Sequence, residues 1–141
     1  MKYSLLFVLL FGWTFSLSES KAISSEITQG DPVAKIVRSI AKADVYETRA
    51  YTASHKNTLQ QNQNKINLAK VASIEKLTQL VLRHKRAIVR LYAFEALVQK
   101  QKNIPKEIIE HVKNDDGMIT VFDGNTTVKK PLNAIAAGFL Y

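Results

Sequence analysis

Apolar residues crowd two stretches of this chain and recur at helical spacing through most of the remainder. After Asp31-Pro32, the residues Val33, Ile36, Val37, Ile40 and Ala41 fall at i, i+3, i+4, i+7 and i+8, which predicts a helix over roughly 32–43. Aspartate accepts hydrogen bonds from the orphan amides of a first turn, and proline fits the first helical position, so the start is signalled as well. Ser73 is placed to cap a second helix with the stripe Ile74, Leu77, Leu80 and Val81, ending near Arg83-His84-Lys85. The densest stretch runs from Ala87 to Val98. Ile88, Val89, Leu91, Tyr92, Ala93, Phe94, Ala96 and Leu97 cover almost the whole circumference, and a helix apolar on nearly all sides must be surrounded by others. Ile104-Pro105 introduces a short helix with Ile108, Ile109 and Val112 on its inner face, stopped by the turn residues Asp115-Asp116-Gly117.

Two segments carry no such stripe. Residues 44–56 match neither the helical nor the strand period, leaving a kinked helix or an extended run. Residues 57–67 are rich in Asn and Gln and read as a mobile, solvated connection, helical at most toward Ile66 and Ala69. Beyond Gly117 the residues become β-branched and aromatic. Ile119-Thr120-Val121-Phe122, then Asp123-Gly124, then Thr126-Thr127-Val128 predict a two-stranded hairpin with a type I′ turn. A lone hairpin is marginal, so it must lie on the helices. Pro131 opens a last apolar stretch that reads as a terminal helix broken at Gly138.

The other crowded stretch is at the start. Lys2 precedes an uncharged, largely apolar run from Tyr3 to Leu17, followed by a polar patch that closes on Ser20-Lys21-Ala22. A basic start, an apolar centre and small residues at −3 and −1 make a secretory signal peptide over 1–22, cut after Ala22. Residues 23–30 then form a flexible N-terminus, and 31–141 a single helical domain in a secreted or periplasmic protein. The run is shorter than the ~20 residues of a membrane-spanning helix, so a membrane association is expected only if the leader stays uncleaved.

The chain has no cysteine, so burial rather than disulfides must hold the fold, and no thiolate is available as nucleophile or metal ligand. Its 20 Lys+Arg outnumber 12 Asp+Glu, a net charge of +8 that attracts polyanions. In an exported protein those are anionic envelope components rather than nucleic acid. The basic string Arg83-His84-Lys85-Arg86, joined by Lys100, Lys102 and Lys106, has no aromatic residues interleaved for base stacking, so no nucleic-acid partner is expected.

The run Ile88-Val89-Arg90-Leu91-Tyr92-Ala93-Phe94-Glu95-Ala96-Leu97 resembles a helix of a HEAT-type α-helical repeat, where a Val-Arg pair precedes Ala and then Ala-Leu. Residues 73–128 more narrowly resemble small secreted bacterial HEAT-like proteins. The likeness implies a binding scaffold, in which the repeat arginine makes a structural ion pair or bonds the last carbonyls of a neighbouring helix. The aspartate and proline usual ahead of the Val-Arg pair are replaced here by Lys85, Arg86 and Ala87, and one repeat alone is legible. A repeat stack needs about three units, so the expected fold is mainly α: a compact bundle containing a HEAT-like helix pair, with a small β-hairpin near the C-terminus.

Candidate chemistry is sparse. Arg83, Lys85, Arg86, Arg90 and Lys106 are the candidate anion or partner contacts, a structural fork-like pair being the favoured role for Arg90. His55, His84 and His111 lack ligand spacing, and the acidic cluster Asp115, Asp116, Asp123 lacks the closing glutamate of a calcium loop; no metal or cofactor is expected. There is no Gly-x-Ser-x-Gly elbow and no phosphate loop. The function expected is therefore a non-enzymatic, exported interaction or scaffold module with a protein partner, presenting a helix face or the 117–130 ribbon. The alternatives are a basic protein that binds an envelope polyanion and a small enzyme whose glutamates, among Glu75, Glu95, Glu107 and Glu110, meet in space.

Overall fold

The computed structural model describes residues 30–48, 56–123 and 126–140. The predicted signal peptide and residues 23–29 lie outside the described residues, as do His55, Gly124 and Asn125. The described chain is mainly α, with a small sheet: α1 (Pro32–Ala43), β1 (Val45–Glu47), α2 (Lys56–Val71), α3 (Ile74–Arg83), α4 (Ala87–Lys100), α5 (Lys106–Lys113), β2 (Met118–Phe122), β3 (Thr127–Pro131) and α6 (Leu132–Ala136), which runs into a 3₁₀ turn over Ala137–Phe139.

Two helix starts are built as the sequence predicts. The Asp31 carboxylate accepts from the Val33 amide at 2.9 Å, and the Ser73 hydroxyl from the Lys76 amide at 3.1 Å. Helix α4 is the centre of the molecule, touching α1, α2, α3, α6 and β2. Leu91, Phe94 and Leu97 are fully buried within a single hydrophobic core that also takes in Ile40, Leu68, Leu77 and Leu132. In α3, Leu77, Leu80 and Val81 face inward, whereas Ile74 lies 45% exposed at the open end of the stripe.

The amide-rich segment is not a solvated connection but most of helix α2. Its inner stripe is Gln61, Asn64 and Leu68, all buried, so the helical period is present but written largely in amides. Those amides satisfy one another. Gln60 Nε2 donates to Asn64 Oδ1 at 3.2 Å and Gln63 Nε2 to Asn67 Oδ1 at 2.9 Å, while Asn64 Nδ2 donates to Ser39 Oγ of α1 at 2.8 Å.

The sheet has three strands in the order β1-β2-β3, not two. The segment after α1 runs extended: Asp44 turns through the left-handed region (φ 53°), and Val45, Tyr46 and Glu47 pair in parallel with Thr120, Val121 and Phe122. Strands β2 and β3 are antiparallel, with Phe122 opposite Thr127. Asp123 pairs with Thr126 beyond that, its amide donating to the Thr126 carbonyl at 3.3 Å, so Asp123 belongs to the paired strand end rather than to the expected Asp123-Gly124 turn. Its side chain holds the same partner, the carboxylate accepting from the Thr126 amide at 2.9 Å and the Thr126 hydroxyl at 3.1 Å.

Candidate functional site

Helix α3 ends at Arg83, and residues 84–86 turn the chain into α4, so Arg90 lies one turn inside α4 and beside the corner. Its Nε donates to Asp115 Oδ2 at 2.6 Å and its NH2 group to Oδ1 at 2.8 Å; NH1 donates to the carbonyls of His84 at 2.8 Å and Lys85 at 3.2 Å. All three guanidinium nitrogens are thereby engaged. Burial works to raise the Asp115 carboxyl, but the Arg90 fork and the Gly117 amide (3.0 Å) outweigh it and hold the group below the usual carboxylate range. Gly117 is where the chain must come closest: a Cβ there would lie 2.8 Å from both Ala87 Cβ and Arg90 NH2.

Arg86 reaches across to α1. Its NH2 group donates to the Ala41 carbonyl at 2.9 Å and lies 3.3 Å from Asp44 Oδ1, placing a cation at the negative end of that helix. Arg86 and Arg90 thus tie helices together, while Arg83 and Lys85 stand exposed at the corner. Lys100 ends α4, roughly 20 Å along that helix from the corner at ~1.5 Å per residue, while Lys106 opens α5. The corner cations and Lys100 therefore stand at opposite ends of α4.

A cleft of about 420 Å³ opens at this corner, lined by Leu82, Arg83, His84, His111, Asn114 and Asp116 around the Arg90–Asp115 pair. Burial pulls the His84 imidazole below its ordinary pKa, with the neighbouring cations Arg90, Lys85 and Arg86 adding to the effect; its Nδ1 accepts from the Arg86 amide at 3.1 Å. The walls carry both signs of charge, so an ion attracted by one is repelled by the other. His84 and His111 share this cleft. Among the described residues, no three His, Asp or Glu side chains converge as a metal site.

A second polar cluster, not singled out from the sequence, lies beneath β1. Glu95 of α4 is only 8% exposed; its Oε1 is 2.6 Å from Lys65 Nζ of α2, and its Oε2 accepts from the Tyr46 hydroxyl at 3.1 Å. Tyr46 and Tyr92 pack with ring centroids 5.3 Å apart. Both hydroxyls are pushed upward, foremost by burial and then, for Tyr46, by Glu95. Glu47, also 8% exposed, has an Oε2 without a hydrogen-bond partner among the described residues. Burial raises its pKa to about 7, the Asn62 backbone amide pulling the other way. The one sequence signal for this cluster is Glu95 itself, the sole carboxylate of the largely apolar helix α4. The other glutamates suggested as a carboxylate site stand apart from it: Glu75, Glu107 and Glu110 are exposed on α3 and α5.

The third feature is the free side of β3. The Asp123 amide donates to the Thr126 carbonyl at 3.3 Å, and the Leu132 amide to the Gly117 carbonyl at 2.9 Å, which fixes the phase of the β2–β3 ladder. Val128 and Lys130 turn their backbone groups toward β2, and Thr127 and Lys129 turn theirs outward. On β2's opposite side, the Thr48 amide donates to the Phe122 carbonyl at 3.2 Å, as that phase requires. Residues 127–130 are exposed, and no described strand pairs with this side of β3. Met118 (58% exposed) and Val128 (43%) add apolar surface, one on each face of the ribbon. No described helix is long and apolar enough to cross a membrane.

Comparison of the chain with family models, with curated proteins and with solved structures gives no match.

Proposed function

We propose that this chain is an exported, non-enzymatic protein–protein interaction or scaffold module of the cell envelope, and that its ribbon is the binding element. One observation carries the reading: the open edge of β3, where Thr127 and Lys129 present backbone donors and acceptors outward beside exposed Met118 and Val128. The rest of the molecule supports it. Two of the buried charged groups are spent internally, Arg90 on Asp115 and on the carbonyls after α3, Glu95 on Lys65 and Tyr46. Arg90 also holds the end of the preceding helix as the arginine of a HEAT-type repeat does, in keeping with a scaffold.

Pull-down from envelope extract with the full chain, at low and high salt, tests this. The expected result is a defined protein partner retained at high salt and lost with Lys129→Pro, which removes one outward donor while leaving the bonds to β2 in place. Capture that collapses steeply with salt and involves only lipid or glycan would favour the polyanion reading instead.

A further inference from the structure

We infer that the open edge of β3 receives an extended, acidic segment of a partner protein, which adds to the sheet as a fourth strand. This rests on the interaction-module reading above and specifies its partner.

The ladder phase sets what the edge offers. Thr127 and Lys129 each present an N–H and a C=O outward; Pro131 has no N–H and is the N-cap of α6, so it ends the run. An incoming strand therefore docks over a short span, and backbone bonding alone selects no sequence. Side chains must supply the choice. Lys129 and Lys130 are adjacent and exposed, and adjacent strand residues point to opposite faces. The two partner residues lying opposite them likewise point to opposite faces. Each has a lysine as its cross-strand neighbour, so consecutive carboxylates complement both. The residue opposite Val128 meets an exposed apolar side chain. The fitting segment is thus an acidic pair beside an apolar residue, extended and in that register.

The same lysines argue against other occupants. A second copy would bring four lysines to one short junction between chains that each carry +8. A neutral strand would gain the backbone bonds without the charge pairs. Lysines on an edge usually keep strands from pairing at random; here they also discriminate by sign.

The test uses the purified full chain and a capped synthetic octapeptide with a central Glu-Glu-Val flanked by threonines. Binding is read from backbone amide shifts and from fluorescence anisotropy of a labelled peptide. Amide shifts centred on Thr127 and Lys129 are expected. Replacing the two peptide glutamates by lysines should weaken binding about tenfold or more, from two cross-strand charge pairs reversed to repulsion. The Lys129→Glu, Lys130→Glu double variant should reverse that preference. N-methylating the peptide amides on one edge should abolish binding, and on the other edge leave it intact, which distinguishes strand addition from diffuse charge attraction. Equal binding of acidic, neutral and basic peptides would overturn the inference. So would equal sensitivity to methylation on both edges, shifts confined elsewhere, or self-association through these same amides. Peptide binding as described, with no envelope protein captured, would instead overturn the interaction-module reading; capture unaffected by Lys129→Pro would overturn the edge and leave the module.

Discussion

Arg90 meets Asp115 as a fork on a carboxylate, Nε to Oδ2 at 2.6 Å and NH2 to Oδ1 at 2.8 Å. That pair closes the α5–β2 connection onto the start of α4. Because the arginine's remaining nitrogen holds the carbonyls after α3, one side chain fixes three segments. Its position in the most apolar helix marks it as part of the architecture.

Removing either partner should be costly. Arg90→Ala or Asp115→Ala leaves a mostly buried charge unpaired, at about 3 kcal/mol of unfolding free energy. The double variant should lose much less than the sum. Arg90→Lys should recover only part, since an ammonium cannot form the fork. Urea unfolding of the four variants checks all of this.

Acid should weaken the same joint. The Asp115 carboxyl lies below its unfolded value, so its contribution is fully present above ~4 and is lost as pH falls through the depressed folded value. Stability measured from pH 5 to pH 2 should fall less steeply in Asp115→Asn than in the parent chain.

Glu47 should act in the opposite direction. Its folded pKa of about 7 is above the unfolded ~4.3, so the native state holds a proton that the unfolded chain releases. The stability it contributes is complete below about pH 4 and declines as pH rises to about 7. Glu47→Gln should flatten that decline, unfolding at a higher temperature than the parent at pH 7.5 and at nearly the same temperature at pH 4. Thermal melts at the two pH values would show it, and an unchanged slope between them would contradict it.

Gly117 leaves no space for even a methyl group. A Cβ there meets Ala87 Cβ and Arg90 NH2 at 2.8 Å and Asp115 Oδ1 at 2.9 Å. Gly117→Ala should therefore displace the Arg90–Asp115 pair and cost roughly 1–3 kcal/mol. In an Asp115→Ala background the penalty should shrink, because one clashing group is then absent and Arg90, the second, is free to move; a double-mutant cycle measures that coupling.

The Glu95 carboxylate holds α2 and β1 to the core through Lys65 and Tyr46. Tyr46→Phe should cost about 1 kcal/mol, the net worth of one hydrogen bond. Glu95→Ala should cost more, roughly 3 kcal/mol, by leaving the lysine unpaired. Hydrogen exchange in α2 should accelerate in Glu95→Ala ahead of that in α4.

The elements read correctly from the sequence are those whose signals are local. Asp31-Pro32 and Ser73 announce their helices, and the core position of Phe94 follows from an apolar circumference. Helix α2 was missed because its buried stripe uses Gln61 and Asn64, whose value depends on partners such as Ser39 on another helix. For a related reason the sequence leaves a kinked helix and an extended run both open at strand β1, and the extended alternative is the one found. Three residues carry no period, and Tyr46 is placed by Val121, far along the chain. The charge candidates divide similarly: residue type singled out Arg86 and Arg90, but only the fold shows that α1 and Asp115 engage them. Glu47 carries no sequence signal and Glu95 stands only as one of four candidate glutamates, since a single carboxylate becomes a cluster only through tertiary contact.

Val45 lies beside Thr120 in a parallel pair, so the first strand has no neighbour until a stretch near the other end of the sequence arrives. A chain emerging in order would hold the backbone of Val45–Glu47 without its partner strand while α2 to α5 assemble. Closure then waits on Met118–Phe122, and a truncation before Met118 would strip both parts from the same seam. Folding of this molecule should accordingly be a late, single event governed by its C-terminal third rather than a stepwise stacking of helices.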